Sequence, residues 1–288
     1  MSLCALLLLS DLVFLHSPAS TRAESGDPVL LPDPNTRDIP RGLSEGSIPL
    51  GRTEIRVPIL MYHYIRDVPP SASQLSFNLS VTPADFNLQM KWLHLNHYHA
   101  ITFDDLRAYF AGLQSLPSKP VIITLDDGYR DLFTTAYPIL RAYNFVAVAY
   151  IVTGFVGHPR YVTSDMIVQM DHDGIEIASH TVDHVDLKRA ALPSVTYEVV
   201  QAKRWLENLV GHPVVDFAYP SGEFDAAVES ELAAAGYNTA VTELPGTEHA
   251  WATRYAWTRV RVAGGESLVT FIKNLGLVEP YVFAPATA

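Results

Sequence analysis

The stretch that most limits what this chain can fold into is Val121-Ile122-Ile123-Thr124-Leu125, which runs directly into Asp126-Asp127-Gly128. The apolar, β-branched run has the character of a buried strand. Two carboxylates at the mouth of such a strand are costly unless a cation, a proton or a partner histidine compensates them. Similar apolar runs recur along the chain, at 56–63, 100–102, 146–152, 174–179, 213–219, 237–242 and 256–262. Helical segments separate them. Thr82 caps one with Pro83 at its first position, and Asp104 or Asp105 caps the next, Leu106 to Leu113. Others are expected over 134–143, 164–171, 194–209, 225–235 (stopped by Gly236) and 268–275, whereas the segment from Pro69 to Ser80 reads as a polar loop. Strand and helix alternate about seven times without a hairpin signal, which predicts a parallel sheet, open or closed into a barrel.

The length, 288 residues with 48% hydrophobic, suits one large domain. A net charge of −11 with no basic patch argues against nucleic acid as a partner. The single cysteine, Cys4, rules out an intrachain disulfide framework. Residues 1–23 resemble a secretory signal, with an apolar core through Leu15 and small residues before Ala19 and Ala23. Left uncleaved, the same segment would tether the chain to a membrane. Residues 24–55, rich in Pro, Gly, Asp and Ser, read as a linker, and 56–288 as the folded domain. The expectation is a secreted or cell-envelope protein.

Polar groups cluster where the expected strands end: His63, Asp126-Asp127, His180 with His184, Tyr219-Pro220-Ser221-Gly222, and Arg259 with Arg261. In a parallel barrel these ends share one rim. His180 and His184 stand four apart directly after a strand, so one turn of chain can bring both rings to one point. With a carboxylate they make the two-nitrogen, one-oxygen set that leaves zinc an open position. Either Asp126 or Asp127 could be the third ligand, the other then serving as a general base.

Three of these stretches resemble the motifs of polysaccharide deacetylases with the NodB-homology fold (carbohydrate esterase family 4). They are Thr124-Leu125-Asp126-Asp127-Gly128, His180-Thr181-Val182-Asp183-His184 and Phe217-Ala218-Tyr219-Pro220-Ser221-Gly222. Val57 to His63 is similar to the start of the branch that deacetylates poly-β-1,6-N-acetylglucosamine. The resemblance covers residues 56 to 275. It implies an α/β fold, a distorted (β/α)7 barrel, holding one divalent metal, usually zinc (Zn2+), on Asp127, His180 and His184. Asp126 would be the base acting on the hydrolytic water. The third motif would meet the acetyl oxygen, most directly through the Ser221 backbone N–H. His63 fits the acid in the permuted branch, because no histidine occupies the late strand Trp257 to Arg261. The family's third motif usually carries an arginine that holds the catalytic aspartate, and Ala218 stands there. Arg259, with Arg261 behind it, is the expected replacement.

The implied activity is removal of N-acetyl groups from a β-linked N-acetylglucosamine polysaccharide by a monomeric enzyme. A catalytically inactive carbohydrate-binding barrel and an O-acetyl polysaccharide esterase are the alternatives. Tyr62, Tyr129, Tyr219 and Trp251 are candidates for lining a sugar groove. Asp104-Asp105, His94, His97, His99 and Asp171-His172-Asp173 are read as structural or solvated.

Overall fold

In the computed structural model, residues 53–276 are described. The segment at 1–23 and nearly all of the linker lie outside them. Seven parallel strands close into a barrel. They are β1 (Ile59–Tyr62), β2 (Pro120–Leu125), β3 (Val148–Ile151), β4 (Glu176–Ser179), β5 (Asp216–Ala218), β6 (Thr239–Pro245) and β7 (Trp257–Arg261). Each strand neighbours the next in sequence, and β1 closes the ring by pairing with β2 on one side and β7 on the other. The barrel is distorted. The β4–β5 ladder is a single pair, Ser179 opposite Phe217, and β6 slips register against β7 between Val241 and Pro245. This is the distorted (β/α)7 architecture that the resemblance to the family implies.

Alternation along the strands divides two cores. Ile59, Ile122, Val148, Tyr150, Ala178, Ala218, Val241 and Trp257 pack together inside the barrel. Leu60, Ile123, Leu125, Ala149, Ile151 and Ile177 face outward onto the helical layer. That layer comprises α1 (Pro83–Leu95), α2 (Phe103–Phe110), α3 (Tyr137–Ala142), α4 (Ser164–His172), α5 (Leu192–Val210), α6 (Ala226–Ala234) and α7 (Leu268–Asn274). Side chains at the starts satisfy the otherwise unpaired helical N–H groups: Thr82 for α1, Thr163 for α4, Asp225 for α6 and Ser267 for α7. No helix among the described residues is long and apolar enough to cross a membrane.

Several local expectations shift. Helix α2 starts at Phe103, because Thr102 and Asp105 form a reciprocal capping box in which Asp105 is the third helical residue, not the cap. The expected loop at 69–80 contains a short helix, Gln74–Leu79, that buries no residue and so leaves no periodic signal. The expected helix at 134–143 begins as a wider π-turn over Leu132–Ala136, since Pro138 has no N–H with which to close an α-helical turn. The chain also makes an antiparallel pair, Glu54–Arg56 with Glu248–Ala250. Its strands are far apart in sequence, so no hairpin turn announces it. It draws Glu54 and Ile55 into the fold, ahead of the boundary expected at 56.

That pair covers a buried histidine. His249 donates from Nε2 to the Val57 carbonyl at 2.9 Å, its Nδ1 has no partner, and it packs against Trp257. Burial pushes its pKa down to about 4. In the unfolded chain the imidazole titrates near 6.5, so the stability held by neutral His249 is complete above ~6.5 and declines as pH falls towards about 4. Relative to pH 7.5, the loss at pH 5 amounts to about 2 kcal/mol. Urea midpoints measured against pH should therefore fall less steeply for His249→Phe than for the parent between pH 6.5 and 4; parallel curves would contradict this.

Candidate active site

The two carboxylates after β2 are separated by strand parity. Thr124 and Asp126 share the inward direction of Ile122, and the Asp126 N–H donates to the Tyr62 carbonyl at 2.9 Å, fixing it beside the end of β1. Asp127 takes a left-handed conformation with φ 71°, which aspartate tolerates better than most residues, and this turns it out of the inward register.

Asp126 is 2% exposed, yet it is not left alone. Arg259, on β7 and equally buried, grips it with two parallel bonds, Nη1 to Oδ1 and Nη2 to Oδ2, each 2.8 Å. The Arg259 Nε donates to the Thr242 carbonyl at 2.8 Å, and Nη1 also donates to Thr124 Oγ1 at 3.1 Å. Thr124 in turn donates to the Leu60 carbonyl at 2.7 Å. One network thus ties β1, β2, β6 and β7. Burial pushes the Asp126 carboxyl up, but the Arg259 charge and its hydrogen bonds override this and hold the group below the ordinary carboxylate range. Position 218, where a motif arginine is expected, is an interior alanine, and the guanidinium arrives from β7 instead. Arg261, two residues on, pairs with Glu243 at the surface.

Asp127, His180 and His184 form the one group of three or more metal-ligating side chains found among the described residues, their ligand atoms lying within 4.8 Å of one another. Both Nε2 atoms stand 3.3 Å from Asp127 Oδ1. That buried oxygen has no hydrogen-bond partner, so the contacts are not aligned as donor to acceptor. Ligand atoms ~2.0–2.2 Å from a tetrahedral ion stand about 3.3–3.6 Å apart, so the two separations from Asp127 match those around a small divalent cation. The orientation of His180 suits a ligand. Its Nδ1 donates to the Ala218 carbonyl at 2.7 Å, which leaves the Nε2 lone pair facing Asp127. Burial pushes the Asp127 carboxyl up, and imidazoles facing it in the protonated form, as when no cation is bound, outweigh this and hold it well below the ordinary range.

The remaining residues divide. His63 directly follows β1, nearly buried, within the fields of Asp126, Asp127, Arg259 and Arg261. Burial lowers its pKa, and the two carboxylates only partly oppose this. In the third motif, Tyr219 is fully buried, stacked on Phe224 with its hydroxyl on the Tyr255 carbonyl, so its side chain lines the helical core and not a groove. Pro220 is buried as well. Ser221 is exposed and left-handed at φ 55°, inside a turn closed by Gly222 N–H to Tyr219 and Glu223 N–H to Pro220. No acceptor for its own N–H is found among the described residues. Gly222 is needed where it stands: at φ 67°, any Cβ would sit 2.8 Å from Glu243. Tyr62 is also fully buried, bonded to Gln89, and Trp251 precedes β7 at the opposite end of the barrel, against Phe110. Tyr129 remains near the rim, stacked between Tyr64 and Tyr161.

A closed parallel barrel whose rim carries an Asp-His-His triangle beside a separate, arginine-held carboxylate defines a candidate metal-dependent hydrolase. A family profile described as Polysaccharide deacetylase matches residues 114–240. The Bacillus subtilis (strain 168) protein YxkH, named for polysaccharide deacetylation, is 31% identical over 212 residues, covering 74% of this chain and 73% of that protein. The chain belongs to the polysaccharide deacetylase family. The poly-β-1,6-N-acetyl-D-glucosamine N-deacetylase of Escherichia coli (strain K12) is 25% identical over 70% of this chain, which spans 36% of that enzyme's length. The Streptococcus pyogenes deacetylase PplD, solved with acetate, superposes with a TM-score of 0.72 at 26% identity, covering 79% of this chain and all of PplD.

Removing the guanidinium should expose what it compensates. Arg259→Ala strands a buried carboxylate and should cost about 3–5 kcal/mol in urea unfolding. Adding Asp126→Asn should recover part of that loss. Strict additivity of the two substitutions would show that the pair is not coupled.

Proposed function

We propose that this protein is an N-deacetylase that removes acetyl groups from a β-linked N-acetylglucosamine polysaccharide. The observation that carries the reading is the Asp126–Arg259 pair set beside the Asp127, His180 and His184 triangle, with His63 at the adjoining strand end. The E. coli relative's name supports the substrate, and an exported location is consistent with the N-terminal segment.

Asp127, His180 and His184 would hold one divalent ion, zinc in this reading, which when bound supplies Lewis-acid polarisation of the acetyl carbonyl and makes water more acidic. Asp126 accepts a proton from the attacking water. Arg259 keeps it ionised for that purpose and fixes its direction. The Ser221 N–H, left open by its turn, donates to the acetyl oxygen as negative charge builds there. A donor of this kind contributes ~3–4 kcal/mol. His63 gives its proton to the departing amine as the C–N bond breaks, leaving acetate and a free amino sugar. The field of both aspartates favours its protonated form but only partly offsets burial, which leaves its pKa below the ordinary value.

The inactive-binder reading rests on Ala218, and Arg259 supplies the guanidinium that position lacks. Acetate release from N-acetylglucosamine oligomers should be abolished by EDTA and restored by zinc. Asp126→Asn should retain zinc and lose turnover by several orders of magnitude; near-normal turnover would remove Asp126 from the role of base. Faster release from acetylated xylan than from the oligomers would instead favour the O-acetyl esterase, and zinc binding without release from either would favour the binder.

A further inference from the structure

Glu198 lies on α5 with its side chain turned inward, 4% exposed, on the same face as Val195, Val199 and Ala202. An acid on the apolar face of a helix is costly unless it is fully used. Its Oε2 accepts the Val182 N–H at 2.8 Å and the Asp183 N–H at 2.9 Å. Both belong to the loop between His180 and His184.

The opposite side of that loop is held as closely. The Thr153 N–H donates to the Thr181 carbonyl at 3.1 Å, and the Gly154 N–H to the Val182 carbonyl at 2.8 Å. Gly154 is required for this approach, since a Cβ there would meet the Val182 oxygen at 2.6 Å and Asp183 Oδ1 at 2.8 Å. Within the loop, Thr181 Oγ1 accepts the His184 N–H at 2.9 Å. The His180 N–H donates to the Ile151 carbonyl at 3.0 Å. The clamp holds a backbone that would otherwise relax. Thr181 and His184 sit at φ 69° and 57°, a region that costs a β-branched residue most.

We propose that Glu198 is a positioning residue for the metal site: by holding the peptides of Val182 and Asp183 against the Thr153–Gly154 turn, it fixes the left-handed residues that aim His184 and His180 at Asp127. The inference rests on the metal-dependent reading above. The Glu198 carboxylate bonds to the loop and would not itself touch the ion.

The test is zinc affinity of the full chain, read by competition with a chromophoric chelator, for four variants. Glu198→Ala should bind zinc about 10–100-fold more weakly, the range seen when a group supporting a metal ligand is lost. Glu198→Gln, whose amide oxygen can still accept both N–H groups, should stay within about threefold of the parent, and Glu198→Asp, a methylene too short, should fall towards the alanine variant. Glu207→Ala is the control: Glu207 lies on the same helix, bonds the Val214 N–H and Lys203, and should change thermal stability without changing zinc affinity. Should Glu198→Ala fail to fold, the order of the Gln and Asp variants decides. Zinc affinity within twofold of the parent in both Glu198→Ala and Glu198→Asp overturns the proposal, as does an equal loss in Glu207→Ala. A parent chain that takes up no zinc overturns the metal reading and this inference together.

Discussion

The buried pair of Arg259 and Asp126 is the interaction on which the rim depends. Two charges removed from water offset their desolvation only with good geometry and with their other bonding capacity satisfied. Here the carboxylate is met on both oxygens, and the guanidinium directs two of its other three N–H groups to Thr124 and the Thr242 carbonyl. The same bonds stitch neighbouring strands across the closure of the barrel, so the group that would take a proton and the group that stabilises the fold are one network. That coupling accounts for Ala218. The barrel interior needs one guanidinium against Asp126, and β7 reaches the same layer from the other side.

Position 218 still contributes, through its backbone. Its carbonyl receives Nδ1–H of His180 and thereby decides which nitrogen of that ring is free. The third motif as a whole behaves this way. Tyr219 and Pro220 bury their side chains, Gly222 makes room beside Glu243, and Ser221 presents a peptide N–H. A stretch that reads as a row of functional side chains is, in three dimensions, a shaped piece of main chain.

Much of this was legible in the sequence because it depends on period and position. β-branched runs ending in polar residues give the strands, alternation gives a parallel sheet that the resemblance to the family closes into a barrel, and the four-residue spacing of His180 and His184 brings their rings together. That Asp126 and Asp127 point apart follows from parity once the strand is granted, whereas which of them faces the histidines came from the resemblance to the family. What was not legible depends on contacts between distant segments. Glu198 bonds peptides some 15 residues away in the chain, and nothing but its place on an apolar helix face hints at burial. The antiparallel cover over His249 has no turn to mark it, and aromatic character alone could not tell buried Tyr219 from Tyr129 near the rim.

The ring of strands in chain order has a consequence for how the molecule comes into being. Asp126 leaves the ribosome 133 residues ahead of Arg259. Until β7 is made, β1 has no neighbour on its second side and the inward carboxylate has no counter-charge, so closing the barrel and neutralising its centre are a single late event. An N-terminal fragment lacking β7 is therefore not a weakened version of the whole. It carries an aspartate without its guanidinium, whose burial stays costly until β7 arrives.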